Sequence, residues 1–295
     1  MRIQGIRPLK GLGQNFLIDK KALERIVGAA NLQKKEVVLE IGPGNGNLTR
    51  FLAKKAGSVI AVEKDLRLAE ILEKNIAVWD AKNIRVVGSD ILKINLRNLV
   101  SSPYKLVANL PYYITAPVIK KFLESEKQPR LMVLLVQKEV ARRVCARVPD
   151  MNLLAVSVQF YSKPEIVDYV SKKSFWPQPK VDGAILRILP KKDKEKQVDP
   201  NLFFKIVKAG FSHPRKQLVN NLSLLFVNKP KTKVKLEKSA KPAFTKVSVG
   251  KEKIFPETKS KIHRWLSNNG ILPTQRAETL EIKNWVDLVK TFKNL

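Results

Sequence analysis

The sequence predicts a doubly wound α/β domain followed by a smaller, basic, mainly helical domain. Three observations predict it. Short apolar runs alternate with helix-like stretches through the first two-thirds of the chain, a glycine-rich loop closes the first of the strand-like runs, and the composition turns to lysine after Pro190.

The strand candidates are residues 37–41, 59–63, 84–88, 106–109 and 131–137. They are rich in Val, Ile and Leu and bounded by Gly, Pro, Asn or Asp, as parallel strands buried on both faces are. Helix-like stretches at 47–55, 66–75, 117–123 and 138–144 fall between or after them. Such alternation builds crossover units and a parallel sheet. Two further runs, 155–161 and 184–189, read as an antiparallel pair at the sheet edge. The first domain is placed at 1–190 and the second at 191–295. Residues 191–196 read as a charged linker, and 202–226 and 258–266 carry helical periodicity. The stretch 229–261 is lysine-rich and broken by prolines, the composition of a long loop or mobile arm.

Composition narrows the classes of function. The chain has 295 residues, of which 44% are apolar, enough for a sizeable core and a small second domain. No run approaches twenty apolar residues, and the first ten lack the apolar core of a secretory signal, so a membrane protein is not expected. One cysteine, Cys145, and two histidines, His213 and His263, provide neither a disulfide framework nor a metal-ligand cluster. The expectation is an intracellular, metal-free protein. Lys and Arg number 56 against 26 Asp and Glu, a net charge of +30. From residue 191 on there are 24 basic and 9 acidic residues, a net of +15, so half the excess sits in about a third of the chain. Such an excess speaks of partners, and nucleic acid leads because phosphates dominate affinity for basic proteins.

The loop Glu40-Ile41-Gly42-Pro43-Gly44-Asn45-Gly46 follows the first strand and precedes a helix. Glycines there let the backbone approach a ligand where a Cβ would clash. The dinucleotide fingerprint G-x-G-x-x-G requires glycine at 47, where this chain has Asn47, so a nicotinamide cofactor is not indicated. E-x-G-x-G-x-G is the form carried by S-adenosylmethionine (SAM) enzymes of this fold. Glu63 ends the second strand, where a carboxylate binds ribose hydroxyls, with Lys64 beside it. Asp90 and Ile91 follow the third strand, and Asp90 is placed to accept from the adenine amine. The fourth strand ends in Asn109-Leu110-Pro111-Tyr112, which resembles the motif of enzymes that methylate exocyclic amino groups of adenine in RNA, and the chemistry that this resemblance implies explains the residue types. The lone pair of adenine N6 is delocalised into the ring and is a poor nucleophile. The Asn109 side-chain oxygen and the carbonyl of Leu110 or Pro111 would accept both N6 hydrogens, turning the lone pair toward a methyl donor. Tyr112 would stack on an extruded adenine.

These motifs together resemble the small-subunit ribosomal RNA adenine dimethyltransferase family, across nearly the whole chain. Gly13-Gln14-Asn15-Phe16-Leu17 matches its N-terminal cofactor motif, and residues 175–182, Phe-Trp-Pro-Gln-Pro-Lys-Val-Asp, match its F-x-P-x-P-K-V-D segment. Residues 211–222 resemble its F-x-x-R-R-K-x-L-x-N-x-L helix, and 276–280 its R-[PA]-E-x-L segment. The resemblance implies a Rossmann-like SAM-dependent methyltransferase domain with a smaller helical, RNA-binding C-terminal domain. It implies cofactor contacts from Gln14, Asn15, Leu17, Gly42, Gly44, Gly46, Glu63, Lys64, Asp90, Ile91 and Asn109. It gives catalytic positions at Asn109, Leu110, Pro111, Tyr112 and Phe175, the last as a second stacking face. Arg215 and Lys216 would meet phosphates. The implied reaction is N6,N6-dimethylation of two adjacent adenosines near the 3′ end of small-subunit ribosomal RNA, within an assembling particle, by a cytoplasmic monomer.

The chain departs from the pattern at Pro214, which stands where the first Arg is usual and would reset the helix start there. Three other readings stand beside this one. They are a large-subunit adenine methyltransferase of the macrolide-resistance type, a non-catalytic assembly or transcription factor on the same scaffold, and a DNA adenine methyltransferase. The C-terminal motifs speak against the first, and the intact loop, acids and Asn-Leu-Pro-Tyr against the second.

Overall fold

A computed structural model of the chain describes residues 8, 9, 11, 13–100, 103–192, 198–226 and 256–292. They fall into two compact units, one within Met1–Ala146 and Leu154–Lys196, the other within Arg147–Leu153 and Gln197–Leu295. The segment 147–153 clusters with the second unit although it precedes residue 190.

In the first unit, β2 (Val37–Ile41), β3 (Ser58–Glu63), β4 (Ile84–Gly88), β5 (Tyr104–Asn109) and β6 (Leu131–Gln137) are parallel. Two antiparallel strands, β7 (Ser162–Val170) and β9 (Gly183–Pro190), complete the sheet in the order β4-β3-β2-β5-β6-β9-β7. The helices are α1 (Lys20–Ala30), α2 (Asn47–Lys55), α3 (Leu66–Val78), α4 (Leu96–Leu99), α5 (Thr115–Glu124), α6 (Lys138–Val144) and α7 (Leu153–Tyr161). Strand order reverses at β2/β5, the topological switch point where open α/β sheets bind ligands beyond the carboxyl ends of their strands. A separate pair, β1 (Phe16–Leu17) with β8 (Phe175–Trp176), is antiparallel.

The core explains the strands. β6 reads Leu-Met-Val-Leu-Leu-Val before Gln137 and is buried throughout those six residues, as a central strand covered on both faces is. α1 starts at Asp19, whose carboxylate accepts from the N–H groups of Lys21 and Ala22, and ends at Asn31 in the left-handed region.

In the first unit one element differs from the sequence expectation. Residues 155–161, expected as an edge strand, form the body of α7, and the strand pairing with β9 is β7. The run Ala-Val-Ser-Val-Gln-Phe-Tyr is nearly all apolar, and such short runs suit a buried helix as well as a strand. The alternation of half-buried and exposed positions lies instead in Ser162–Val170, where one face meets water and Pro164 is tolerated because the strand is an edge.

The second unit packs α8 (Pro200–Gly210), α9 (Leu218–Leu222), α10 (Pro256–Asn268) and α11 (Ile282–Thr291). Trp285 is fully buried, with Phe203, Ile206, Leu218 and Leu266. The run 202–226, read as one helical stretch, is broken: α8 ends at Gly210 and α9 begins only at Leu218. Arg215 and Lys216, expected on a helix, thus lie in the intervening loop, with Pro214 removing the N–H that a continuous helix would need. Of the lysine-rich stretch 229–261, residues 229–255 lie outside the described residues, and the remainder opens α10. Most of the linker read at 191–196 also lies outside them.

Candidate active site

A cavity opens along the carboxyl ends of β2, β3 and β5 and the turn after β4. Its wall includes every proposed cofactor and catalytic position except Gly46.

The floor is the glycine loop. Gly42, Gly44 and Gly46 all adopt positive φ, at 65°, 60° and 87°. A Cβ on Gly44 would stand 2.9 Å from the Phe16 ring, so this glycine admits the N-terminal motif as well as a ligand. A Cβ on Gly46 would meet Leu72 and Trp79 at 2.5 and 2.6 Å. Gly46 is therefore spent on packing against α3 and its end. Asn47, the residue that breaks the dinucleotide fingerprint, donates from Nδ2 to the Leu17 carbonyl at 2.8 Å and ties β1 to the start of α2.

Two acids line one part of the cavity. Glu63 accepts from Gly44 N–H at 3.0 Å through Oε2 and from Asp65 N–H at 2.9 Å through Oε1. A third backbone N–H, that of Lys64, also acts on the Glu63 carboxylate. Burial pushes its carboxyl above the usual range, opposed by those backbone bonds. Asp90 accepts from Leu92 N–H and pairs with the Lys64 ammonium at 3.0 Å, which holds its carboxyl below the usual range. Gln14 is turned partly away from the cavity: it donates to Asp65 at 3.0 Å and accepts from Leu9 N–H at 2.7 Å, fastening the N-terminal segment to the loop after β3.

The Asn-Leu-Pro-Tyr turn after β5 lines the same cavity. Asn109 donates from Nδ2 to the backbone carbonyl of Asn15 at 3.1 Å, and Asn15 donates to the Gly13 carbonyl at 3.1 Å. The Pro111 carbonyl accepts from Ile114 N–H at 3.1 Å in the turn that follows. Leu110 is buried, and Tyr112 is half-buried with a hydroxyl that has no partner among the described residues. Burial, then the nearby Asp182 charge, raises that phenol. Phe175 is buried in both the core cluster and the cavity wall, and pairs across β1–β8 with Leu17.

Among the lining residues that sequence reasoning passed over are Glu40 and Tyr113. Glu40 was read only as a letter of the loop motif. It is buried, neither its Oε2 nor the Thr49 hydroxyl has a partner in good hydrogen-bond geometry among the described residues, and its carboxyl is pushed up to about 8, chiefly by burial, with the weak interaction with Thr49 opposing and the Glu63 charge adding. Its place at the end of a strand buried on both faces was the signal. Tyr113 is 52% exposed at the rim and packs beside Gly13. An aromatic doublet after a catalytic motif was the available clue.

Arg215 and Lys216 belong to the second unit and are exposed. Their loop is held by buried Asn221, which donates to the carbonyls of Gly210 and His213 at 2.6 and 3.0 Å. Among the described residues no three His, Cys, Asp or Glu are grouped to hold a metal, and no described helix is long and apolar enough to cross a membrane.

The switch-point cavity, the glycine loop between β2 and α2, the acids ending β3 and following β4, and the Asn-Leu-Pro-Tyr turn after β5 are those of an α/β methyltransferase. A solved dimethyladenosine transferase from Plasmodium falciparum superposes with TM-score 0.74 at 26% identity, covering 95% of this chain and 98% of that one. The 23S rRNA methyltransferase ErmE follows with TM-score 0.68 at 25% identity, covering 94% and 99%. The family model described as ribosomal RNA adenine dimethylase matches residues 8–251, and the chain belongs to that family. Among curated relatives, the ribosomal RNA small subunit methyltransferase A of Dehalococcoides mccartyi is 40% identical over 95% of this chain and 87% of its own length. Its namesake from Bacillus cytotoxicus is 36% identical over 95% and 89%.

Proposed function

We propose that this protein dimethylates N6 of two adjacent adenosines near the 3′ end of small-subunit ribosomal RNA, within an assembling small subunit, using SAM. It would act as a cytoplasmic monomer.

The observation that carries the reading is the Asn109–Asn15 bond. With Nδ2 committed to the Asn15 carbonyl, the Asn109 amide has a fixed orientation, and its Oδ1 is left to accept. The Leu110 carbonyl is the better second acceptor, because that of Pro111 already accepts from Ile114. Two acceptors on the N6 hydrogens favour a pyramidal nitrogen and orient its lone pair, which is positioning rather than acid–base chemistry. Tyr112 and Phe175 would sandwich the extruded base.

The residues fit SAM. Gly42 and Gly44 open the backbone for it, Glu63 offers lone pairs to ribose hydroxyls, and Asp90 would accept from the adenine amine. Buried, unpartnered Glu40 Oε2 adds a polar atom in the cavity wall. When bound, SAM supplies a methyl group already activated by its sulfonium. The N6 proton is released to solvent, and no metal or covalent nucleophile is called for.

Small-subunit RNA is favoured because relatives at 36–41% identity across most of the chain bear small-subunit names. Labelled methyl from SAM, offered to undermethylated small subunits, large subunits and duplex DNA, tests the choice. Label confined to small subunits is expected. Label on large subunits would move the protein to the large-subunit reading, and SAM binding without any transfer would favour a non-catalytic factor.

A further inference from the structure

Away from the cofactor, one ring carries two cations. Lys138 Nζ lies 5.1 Å and Arg142 Cζ 5.9 Å from the centroid of Tyr169. Lys138 and Arg142 are one turn apart on α6, which starts where β6 ends at the catalytic edge of the sheet. Tyr169 projects from the edge strand β7 and is 43% exposed.

This arrangement adjoins the proposed target-base wall. The Lys138 N–H donates to the Asp182 carbonyl at 3.0 Å. The Asp182 charge reaches the Tyr112 phenol, and a Cβ on the next residue, Gly183, would stand 3.5 Å from the Phe175 ring. Among the described residues no carboxylate lies within ion-pair distance of Lys138 or Arg142, and Asp168, beside Tyr169, is paired with Arg25 at 3.1 Å. Two like charges gathered on one exposed ring repel each other. An anion shared between them relieves that repulsion, and the ring face attracts each cation in turn. An extruded nucleotide brings its flanking phosphates to the mouth of the site that receives its base. Phosphate contacts fix register without reading sequence.

We propose that Tyr169 is a positioning residue that holds Lys138 and Arg142 side by side, as a two-point grip on an RNA phosphodiester flanking the target adenosine. The proposal rests on the substrate being RNA. The grip acts on substrate capture and register, and SAM is untouched by it.

The test compares Tyr169→Leu, Tyr169→Phe and the double variant Lys138→Gln/Arg142→Gln on undermethylated small subunits. Tyr169→Leu should raise KM about fivefold, with kcat at saturation and SAM affinity unchanged, and Tyr169→Phe should restore KM because the ring face remains. The double variant should raise KM further and reduce the slope of log affinity against log salt by about 1. An unchanged KM and salt slope in Tyr169→Leu and the double variant would overturn the proposal. So would a Phe variant as impaired as Leu, or a loss of melting temperature with kcat falling alongside KM, which marks a purely structural role. Salt-dependent RNA binding is read without turnover. Variants that bind like wild type sink this inference alone, whereas a wild type that binds RNA and transfers no methyl sinks the proposed function.

Discussion

Asn109 and Asn15, ninety-four residues apart, are joined by a 3.1 Å hydrogen bond from the Asn109 amide to the Asn15 carbonyl. The bond links the N-terminal motif to the catalytic turn and fixes which atom of Asn109 faces the cavity.

Asn109→Ala removes the proposed N6 acceptor. Methyl transfer should fall about a thousandfold, in the range seen when one preorganised polar group is removed, while SAM affinity changes by less than about fivefold. Asn109→Asp keeps the size but cannot donate to Asn15, and should be nearly as slow. Single-turnover transfer and calorimetric SAM binding separate the two effects. Wild-type turnover in either variant would mean that another group orients N6.

Glu63→Ala removes both the proposed ribose acceptor and the partner of two loop N–H groups. SAM affinity should drop by roughly 10- to 100-fold, the equivalent of one hydrogen bond to a charged group. Titration calorimetry reads this directly, and an unchanged dissociation constant would show that the ribose is held elsewhere.

Gly44→Ala places a methyl group against the Phe16 ring in a positive-φ conformation. The strain should cost about 1–3 kcal/mol and lower the melting temperature by on the order of 5 °C. Phe16→Leu in the same background should recover part of the loss. A melting temperature equal to wild type in Gly44→Ala would show that the loop relaxes freely.

Glu40 links stability to pH. Its folded carboxyl is raised to about 8 from 4.5. Between these values the unfolded chain is ionised while the folded one keeps its proton. The contribution is therefore complete below about pH 4.5 and is lost as pH rises through about 8. Glu40→Gln removes the titration while keeping the shape. Without SAM, the wild type should lose on the order of 5 °C more than the variant between pH 5 and 8.5. Parallel curves would assign the titration to another group.

The parallel sheet was legible because its strands are apolar runs closed by chemistry-bearing turns. Residues 37–41, 84–88 and 131–137 were read with the bounds the structure gives. The antiparallel edge was legible in part: 184–189 lies in β9, but its outer partner was misplaced, because α7 is apolar without a clear period and β7 is a polar edge strand containing a proline. The glycine loop, Glu63, Asp90 and Asn109 announce themselves by type and spacing. The roles of Gln14, Asn47 and Gly46 do not: each depends on a partner 26 or more residues away, Asp65, the Leu17 carbonyl and Leu72 respectively, and no local pattern records such pairings. The loop bearing Arg215 and Lys216 is shaped more locally, by Asn221 on the next helix, eight and eleven residues from the carbonyls it binds.

The most direct test of the central claim is mass spectrometry of ribosomal RNA from undermethylated small subunits after reaction with SAM and this protein. The account predicts N6,N6-dimethyladenosine at two adjacent positions near the 3′ end, and none when Asn109 is alanine. Methylation at a ring nitrogen, or at bases other than adenine, would contradict it.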